Sequence, residues 1–344
     1  MSKPLSYLYT EPKSTGQLRS EMSDFKVFER LPFEPCGEGE HLFVHIRKTG
    51  ANTTVVAREL AKYFKVKEGL VSYAGMKDRF AVTEQWFGIH LPGKAIYDLS
   101  DLAIEGVEVL SVKRHNKKLR IGALSGNRFE LVLRNVNNTD DVLRRWAAVS
   151  QFGVPNYFGE QRFGINGGNL VRAMELFQGK KVKDKKKRGM YLSAARSEIF
   201  NQIISKRIEQ NQFESLKEGD VFMLSGTQSV FLADAIDEKI TQRFQEKDID
   251  LTASLWGAGE LMSQGEPQTL EQTVADAHAE FCDGLAKFGL KQERRRIRLS
   301  LTEGQIKAEA DTVTLNFFLP SGCYATTILR ELISYQDMTE RAVN

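Results

Sequence analysis

The sequence has little of what a disulfide-bonded, membrane-spanning or secreted protein needs. Its three cysteines, Cys36, Cys282 and Cys323, are far apart and form no C-x-x-C pair. This argues against a disulfide framework and against a zinc site built on thiolates. No run of about 18 apolar residues occurs, so no transmembrane helix is expected. Residues 1–5 lack the apolar core of a signal peptide, and these absences together predict a cytoplasmic protein with reduced thiols.

The sequence also has only a small excess of positive charge and lacks the glycine-rich motifs that bind nucleotide cofactors. A formal net charge of +3 over 344 residues does not by itself identify a nucleic-acid-binding protein. Neither G-x-x-x-x-G-K nor G-x-G-x-x-G occurs, so no nucleotide cofactor is expected. The apolar fraction of 41% is ordinary. A chain of this length can therefore bury a large core, and we expect it to form two domains.

The most informative stretch is residues 72–88, which reads S-Y-A-G-M-K-D-R-F-A-V-T-E-Q-W-F-G. Two strand-like runs flank a polar centre, where Gly75 permits an unusual backbone angle. Asp78 is thus presented on a turn or strand end between Lys77 and Arg79. Neighbouring cations favour an ionised carboxylate, which suits a nucleophile or an electrostatic stabiliser better than a general acid. A solvated charged turn is the alternative that these residues leave open.

The same stretch resembles the signature of a known family. Its pattern G-M-K-D-R-x-A-V-T-E-Q is very similar to that of the TruD family of tRNA pseudouridine synthases. In that family the Asp of the K-D pair is the catalytic nucleophile. The resemblance therefore implies that Asp78 is the nucleophile here.

A second resemblance lies upstream, in the pattern D-F-x-V-x-E followed by G-x-G-E-H-L-F-V. Residues 25–28 alternate as a strand does. The resemblance implies that Phe25 contributes to the uridine site. It also implies that Arg19, a basic residue shortly before Phe25, approaches Asp78. The residues alone leave open a core position for Phe25 and a solvated charge for Arg19.

Two further patterns supply the remaining pocket residues. In G-N-x-F, Gly126 and Asn127 predict a turn, and Phe129 begins a strand. Asn127 has a donor and an acceptor that fit the Watson–Crick edge of uracil, and Phe129 has a flat face for a base. A turn amide and a core ring are the alternatives. The pattern F-x-L-P-x-G-x-Y-A-T-x-x-L-R-E-L implies that Tyr324 lines the uridine pocket, where packing at a helix start is the alternative.

Two runs of positive charge are candidates for RNA contact. They read K-R-H-N-K-K-L-R at residues 113–120 and K-K-V-K-D-K-K-K-R at residues 180–188. Each is either a solvated segment or a site for the RNA backbone. His41 and His45 are four residues apart, but no third ligand is near. A structural role is therefore expected for both, and no metal site is predicted.

The order of predicted elements indicates a mixed α/β domain, and we expect an α+β fold for the chain. The pattern P-N-Y-F-G-x-Q-R-F-G at residues 155–164 resembles the start of the inserted domain of the TruD family. The resemblance implies a discontinuous catalytic domain of residues 1–152 and 299–344, with a mainly antiparallel central sheet. A smaller α/β TRUD domain of residues 153–298 would be inserted into it.

Five patterns in consistent order span nearly the whole chain. The resemblance implies a cofactor-independent isomerase that converts uridine 13 of tRNA to pseudouridine, with tRNA as its partner. It implies no protein partner, and the lack of a long apolar run predicts no membrane association. A non-catalytic RNA-binding protein, which would need the basic runs but not Asp78, is one rival interpretation. A synthase acting on another RNA is a second. The sequence leaves open whether Asp78 attacks C1′ of the ribose, attacks C6 of the base, or assists a glycal route.

Overall fold

A computed structural model describes residues 4–93, 95 and 97–339. The chain divides into two units. The Asp78 unit contains the described residues of Pro12–Gln151 and Leu301–Ala325, and residues 332–339. The insert unit contains residues 4–11, Phe152–Ser300 and Thr326–Glu331. Both units are therefore assembled from segments that are distant in sequence.

The described residues contain both classes of secondary structure, which confirms the predicted α+β class. Their strands are β1 (Thr15–Leu18), β2 (Phe25–Arg30), β3 (His41–Thr49), β4 (Val71–Tyr73), β5 (Val82–His90), β6 (Val107–His115), β7 (Gly126–Arg134), β8 (Val154–Pro155), β9 (Val221–Leu224), β10 (Val230–Leu232), β11 (Ile249–Leu255), β12 (Glu293–Arg296), β13 (Arg298–Leu299), β14 (Thr302–Glu309), β15 (Thr312–Pro320) and β16 (Ser334–Asp337). Their helices are α1 (Thr53–Tyr63), α2 (Thr139–Phe152), α3 (Gly168–Phe177), α4 (Lys185–Glu209), α5 (Glu238–Gln245), α6 (Gly265–Asp276), α7 (Ala279–Lys287) and α8 (Ala325–Leu332).

The Asp78 unit is built on a ten-stranded sheet with the order β14-β15-β7-β2-β5-β3-β6. Outside this path, β1 pairs with β7 and β16, and β4 pairs with β5. Most neighbours are antiparallel, but β2 runs parallel to β5, and β1 runs parallel to β16. The sheet is therefore mixed, so the expectation of a mainly antiparallel sheet is met only in that most of its pairs are antiparallel.

One row of side chains across this sheet connects the core to the site. The register aligns Phe317 of β15, Phe129 of β7, Val27 of β2, Thr83 of β5 and Lys48 of β3. Residues directly opposite each other in a sheet point to the same face. The face is thus apolar towards β15 and becomes polar towards β3. Each buried apolar side chain of the row contributes about 1.5–3 kcal/mol.

Helix α1 packs on the β3 and β5 part of the same face. Val56 and Leu60 are fully buried there among residues of β3 and β5, and their i, i+4 spacing places them on one side of the helix. Asn52 precedes the helix in an extended conformation, as expected of the residue at an N-cap. The first residue of α1, Thr53, is buried next to the loop that carries Asp78.

The predicted turn at Gly126 and Asn127 is wrong. Both residues belong to β7, where Gly126 pairs with Arg30 on one side and Pro320 on the other. A Cβ atom on Gly126 would lie 2.1 Å from the Leu319 carbonyl oxygen. Glycine is therefore required for close strand approach, not for a turn.

The insert unit contains a four-stranded sheet with the order β10-β9-β11-β12 and the long helix α4. Four residues on successive turns of α4 are fully buried: Ile199, Phe200, Ile203 and Ile204. The basic cluster on β12 is mostly neutralised, since Arg294 pairs with Glu271 and Arg296 with Asp250, both at 2.8 Å. In the part of the chain that the structure describes, no helix is long and apolar enough to cross a membrane.

Candidate active site

Residues 75–79, here called the Asp78 loop, connect β4 to β5 and are fixed at several points. The Lys77 backbone N–H donates to Thr53 Oγ1 at 3.1 Å. Gln85 Nε2 donates to the Gly75 carbonyl at 3.2 Å, and Gln85 Oε1 accepts from Thr53 at 2.9 Å. Thr53 and Gln85 are both fully buried. The loop is therefore held by rigid elements, which is the arrangement expected of a site that must position a reactive group.

The Asp78 carboxylate is accessible and is paired with a buried arginine. Arg19 Nη2 lies 3.1 Å from Asp78 Oδ2, and the side chains are 7% and 41% exposed, respectively. Arg19 Nη1 also contacts Asp337 Oδ2 at 2.5 Å, and its guanidinium carbon lies 4.0 Å from the centre of the Phe25 ring. The guanidinium thus has two carboxylate partners and an aromatic support. The structure brings together Asp78, Arg19 and Phe25, which the sequence had singled out separately.

The position of Arg19 depends on an unusual backbone conformation. Its φ angle is +58°, in the left-handed region that residues other than glycine seldom adopt. Arg19 directly follows β1, where Leu18 is in register with Asp337 of β16. The parallel pairing of these strands therefore brings Asp337 to the residue that follows β1. Local backbone strain of this kind is frequent where a functional side chain is aimed.

The cations adjacent to Asp78 in sequence do not contact its carboxylate. Lys77 Nζ lies 2.9 Å from Glu29 Oε2 and donates to Asn127 Oδ1 at 2.9 Å, whereas Arg79 donates to a backbone carbonyl. Of the three cations expected near Asp78, only Arg19 contacts its carboxylate among the described residues. Asn127 keeps its Nδ2 amide without a hydrogen-bond partner in the described part of the chain, so a donor is left for a ligand.

The aromatic residues predicted for the uridine pocket differ in accessibility. Phe129 is only 6% exposed and lies between Phe25, at a ring distance of 6.3 Å, and Phe317, at 5.5 Å. Phe25 is buried as well. Burial favours the core interpretation of both rings, and a stacking contact with a base stays a prediction. Tyr324 is half-buried at the residue before α8, and its place in a pocket also stays a prediction.

Replacing Phe129 with alanine is expected to destabilise the Asp78 unit by about 3–5 kcal/mol, since a large buried ring would leave a cavity. The measurement is the free energy of unfolding in urea. Phe152→Ala, at a ring that is nearly half exposed, is the matched control and should cost much less. A small loss of stability combined with weaker tRNA binding would instead indicate that Phe129 contacts a base.

Sequence reasoning missed Lys48, Glu29 and Asp337. Lys48 had a readable signal, because it continues the alternation Leu42, Val44, Ile46 and so places a charge on an apolar face of β3. Glu29 likewise lies on the buried side of β2. Asp337 had no such signal, since its importance depends on which strand β16 pairs with.

The two histidines singled out in the sequence, His41 and His45, each lie against another ring. His41 packs against His90 at a ring distance of 5.0 Å, and His45 stacks on Trp86 at 4.6 Å. Burial is the main cause that lowers the pKa of His41 and of His45. No group of three or more His, Cys, Asp or Glu residues suited to a metal ion occurs in the described ranges.

Comparisons with known proteins agree over nearly the full length. The family model described as tRNA pseudouridine synthase D (TruD) matches residues 4–180 and 179–332. A protein described as tRNA pseudouridine synthase D from Colwellia psychrerythraea is 65% identical, and the match covers 98% of this chain and 94% of the relative. A second protein with the same description, from Aeromonas salmonicida, is 49% identical, and the match covers 98% of this chain and 96% of the relative.

A solved structure supports the same conclusion at the level of the fold. A crystal structure from Methanosarcina mazei, described as tRNA pseudouridine synthase D, has a TM-score of 0.73 at 22% identity, and 95% of each chain is covered. At this identity the likeness concerns the fold, whereas the family model and the relatives concern the family. The chain therefore belongs to the TruD family of tRNA pseudouridine synthases, which are isomerases that convert uridine to pseudouridine in tRNA.

Proposed function

We propose that this enzyme isomerises uridine 13 of tRNA and that Asp78 is its nucleophile. The observation that carries the proposal is the exposed Asp78 carboxylate on an anchored loop, held 3.1 Å from the buried Arg19. A carboxylate that is both accessible and aimed by a fixed cation is suited to covalent catalysis. The position in tRNA is supported by the resemblance of five sequence patterns to the TruD family.

The reaction itself defines what the residues must do. Isomerisation breaks the N1–C1′ bond, turns the uracil and joins C5 to C1′; C5 loses its hydrogen as a proton, and N1 gains a proton. Substrate and product are isomers, so the chemistry needs no net oxidant or energy source, and we propose that it needs no cofactor. The target base must leave its stack to be reached. The Asp78 side chain, which is 41% exposed on its loop, is accessible to such an extruded base.

Asp78 would act on the extruded nucleotide by one of three routes. It could attack C1′ and displace uracil, add to C6 of the base, or help remove the ribose 2′ proton on a glycal route. In each case Arg19 orients the carboxylate and compensates its charge. Asn127 would offer its free Nδ2 amide to an oxygen of the uracil. Phe25, Phe129 and Tyr324 are proposed to form the surrounding pocket.

We further propose that the Asp78 unit is the catalytic domain and that the insert unit is the inserted TRUD domain. The boundaries expected from sequence, residues 1–152 with 299–344 and residues 153–298, assign residues 4–11 and 326–331 to the catalytic domain. By contacts these two segments belong to the insert unit. The cytoplasmic location stays a prediction.

The function is tested with tRNA transcripts carrying tritium at C5 of every uridine. The enzyme should release about one equivalent of tritium per tRNA, because only one uridine is isomerised and each isomerisation expels one hydrogen. A transcript with cytidine at position 13 should release none. Release that persists from this transcript would overturn the assignment of the uridine. Tight binding of tRNA without any release would favour the rival, a non-catalytic RNA-binding protein.

The basic run at residues 180–188 is proposed to contact the tRNA backbone. Lys185, Lys186 and Lys187 are exposed in the first turn of α4, where Asp184 accepts hydrogen bonds from the Lys186 and Lys187 N–H groups. Positive charge is unfavourable at a helix N-terminus. Three lysines there disfavour the helix, so a function in binding an anion would account for their presence.

Changing these three lysines to glutamine should flatten the salt dependence of tRNA binding. Each lost phosphate contact lowers the slope of log K against log salt by about 0.7–0.9, so three contacts would lower it by about 2–3. The measurement is filter binding across a salt series. The control carries the same change at Lys239, Lys247 and Lys287, which are exposed elsewhere in the insert unit. An equal slope in both triple variants would identify the run as a solvated segment.

A further inference from the structure

Lys48 is a fully buried lysine directly beneath the Asp78 loop. Its relative exposure is 0%, and its neighbours across the sheet are Thr83 of β5 and Val107 of β6, neither of which carries a charge. In the described chain its ammonium forms no ion pair with a carboxylate; it donates to main-chain carbonyls instead. Burying a charge without such a partner costs folding free energy. A position of this kind is expected where a function compensates the cost.

The contacts of Lys48 converge on the nucleophile's own peptide groups. Its Nζ atom donates to the Asp78 carbonyl at 2.7 Å and to the Lys77 carbonyl at 3.5 Å. These two carbonyls flank the Asp78 Cα atom. Fixing both restricts the direction in which the Asp78 side chain leaves the backbone. Lys48 therefore acts on the orientation of the carboxylate without touching it.

We propose that Lys48 is a positioning residue that holds the Asp78 loop so that the Asp78 carboxylate faces the uridine. The inference rests on the proposed role of Asp78 as nucleophile. Small displacements of a reactive group of about 1 Å can cost about 10²-fold in rate. Loss of the Lys48 contacts is therefore expected to slow the chemical step and to leave tRNA binding intact.

Charge on Lys48 makes the contact sensitive to pH. Burial lowers the pKa of Lys48 from 10.5 to about 8, while the charge of Asp78 acts to raise it and that of Lys77 to lower it. As pH rises through about 8, the ammonium becomes a neutral amine, and its hydrogen bonds weaken. The wild-type rate should fall in this range. A Lys48→Met variant should lack this decline.

The lowered pKa of Lys48 also determines how its contribution to the stability of the fold changes with pH. Between the pKa of Lys48 in the folded protein, about 8, and its ordinary value of 10.5, the unfolded chain binds more protons. The contribution of Lys48 to stability therefore rises with pH across this window, and below it the buried charge is a cost. Lys48→Met at pH 7 should leave the thermal midpoint unchanged or higher. An ordinary structural lysine would lower the midpoint when removed.

The test compares Lys48→Met, Lys48→Arg and wild type. Lys62→Met, at a lysine that is 64% exposed on α1, is the matched control. Single-turnover tritium release should fall at least about 10-fold in Lys48→Met, whereas tRNA affinity stays within about 2-fold. Lys48→Arg keeps the cation and should retain more activity than Lys48→Met. An unchanged rate, or a rate that falls only with the thermal midpoint or with tRNA affinity, would overturn the proposal.

A second measurement separates this inference from the proposed function. Amide hydrogen exchange in a peptide covering residues 75–79 should become faster in Lys48→Met and stay unchanged in Lys62→Met. This readout needs no tRNA and no turnover. If wild type releases no tritium, the proposed function fails, and the exchange result still decides whether Lys48 anchors the loop. Unchanged exchange in Lys48→Met would overturn the anchoring role in either case.

Discussion

Asp78→Asn is expected to abolish pseudouridine formation while tRNA affinity stays within a few-fold. Asparagine keeps the size of the side chain and its place on the anchored loop, but its neutral amide is a poor nucleophile. Removing a catalytic nucleophile from an enzyme typically lowers the rate by about 10⁴-fold or more. The measurements are single-turnover tritium release and filter binding of the same labelled tRNA.

Asp283→Asn provides the matched control for this experiment. Asp283 is an exposed residue of α7 in the insert unit, so the same chemical change is made away from the site and full activity is expected. Asp78→Asn activity within about 10-fold of wild type would remove Asp78 from the role of nucleophile. A parallel loss of tRNA affinity would instead make Asp78 a binding residue.

The separate parts of the site could be predicted from the sequence because their signals are local. The strand-like runs on either side of Asp78 correspond to β4 and β5. The resemblance selected Asp78 and Arg19, and the structure places them in contact. Local sequence patterns thus identified the strands next to the site and the two residues, Asp78 and Arg19, that contact each other.

The electrostatic partners could not be predicted in the same way. Lys77 is adjacent to Asp78 in sequence but pairs with Glu29, while Arg19 contacts Asp337 from 318 positions away. Which charges meet depends on strand register, and the register of β1 with β16 is a property of the whole sheet. Gly126 illustrates the same limit, because its neighbour across the sheet determines whether glycine serves a turn or a close approach.

Arg19 is expected to give the second-largest effect on the rate. In Arg19→Met the two carboxylates of Asp78 and Asp337 lose the cation between them, and the loss of one preorganised electrostatic contact typically costs about 10²–10³-fold. Arg19→Lys should recover only part of the rate, since a single ammonium cannot reproduce the two-sided contact of a guanidinium. Tritium release under single-turnover conditions measures both. Arg58→Met, at an exposed arginine of α1, is the control and should behave as wild type.

Asp337 should affect the reaction through Arg19 alone. Its Oδ1 atom accepts hydrogen bonds from the Thr339 N–H and hydroxyl groups at 3.1 and 2.8 Å, and its Oδ2 atom holds Arg19. Asp337→Asn weakens that hold, so a smaller loss in kcat at unchanged KM is expected. In the double variant, Asp337→Asn should lower the rate of Arg19→Met hardly any further, because the effects of substitutions within one interaction network are not additive. Additive losses would show that Asp337 contributes independently of Arg19, and the two-sided contact would then not be what aims Asp78.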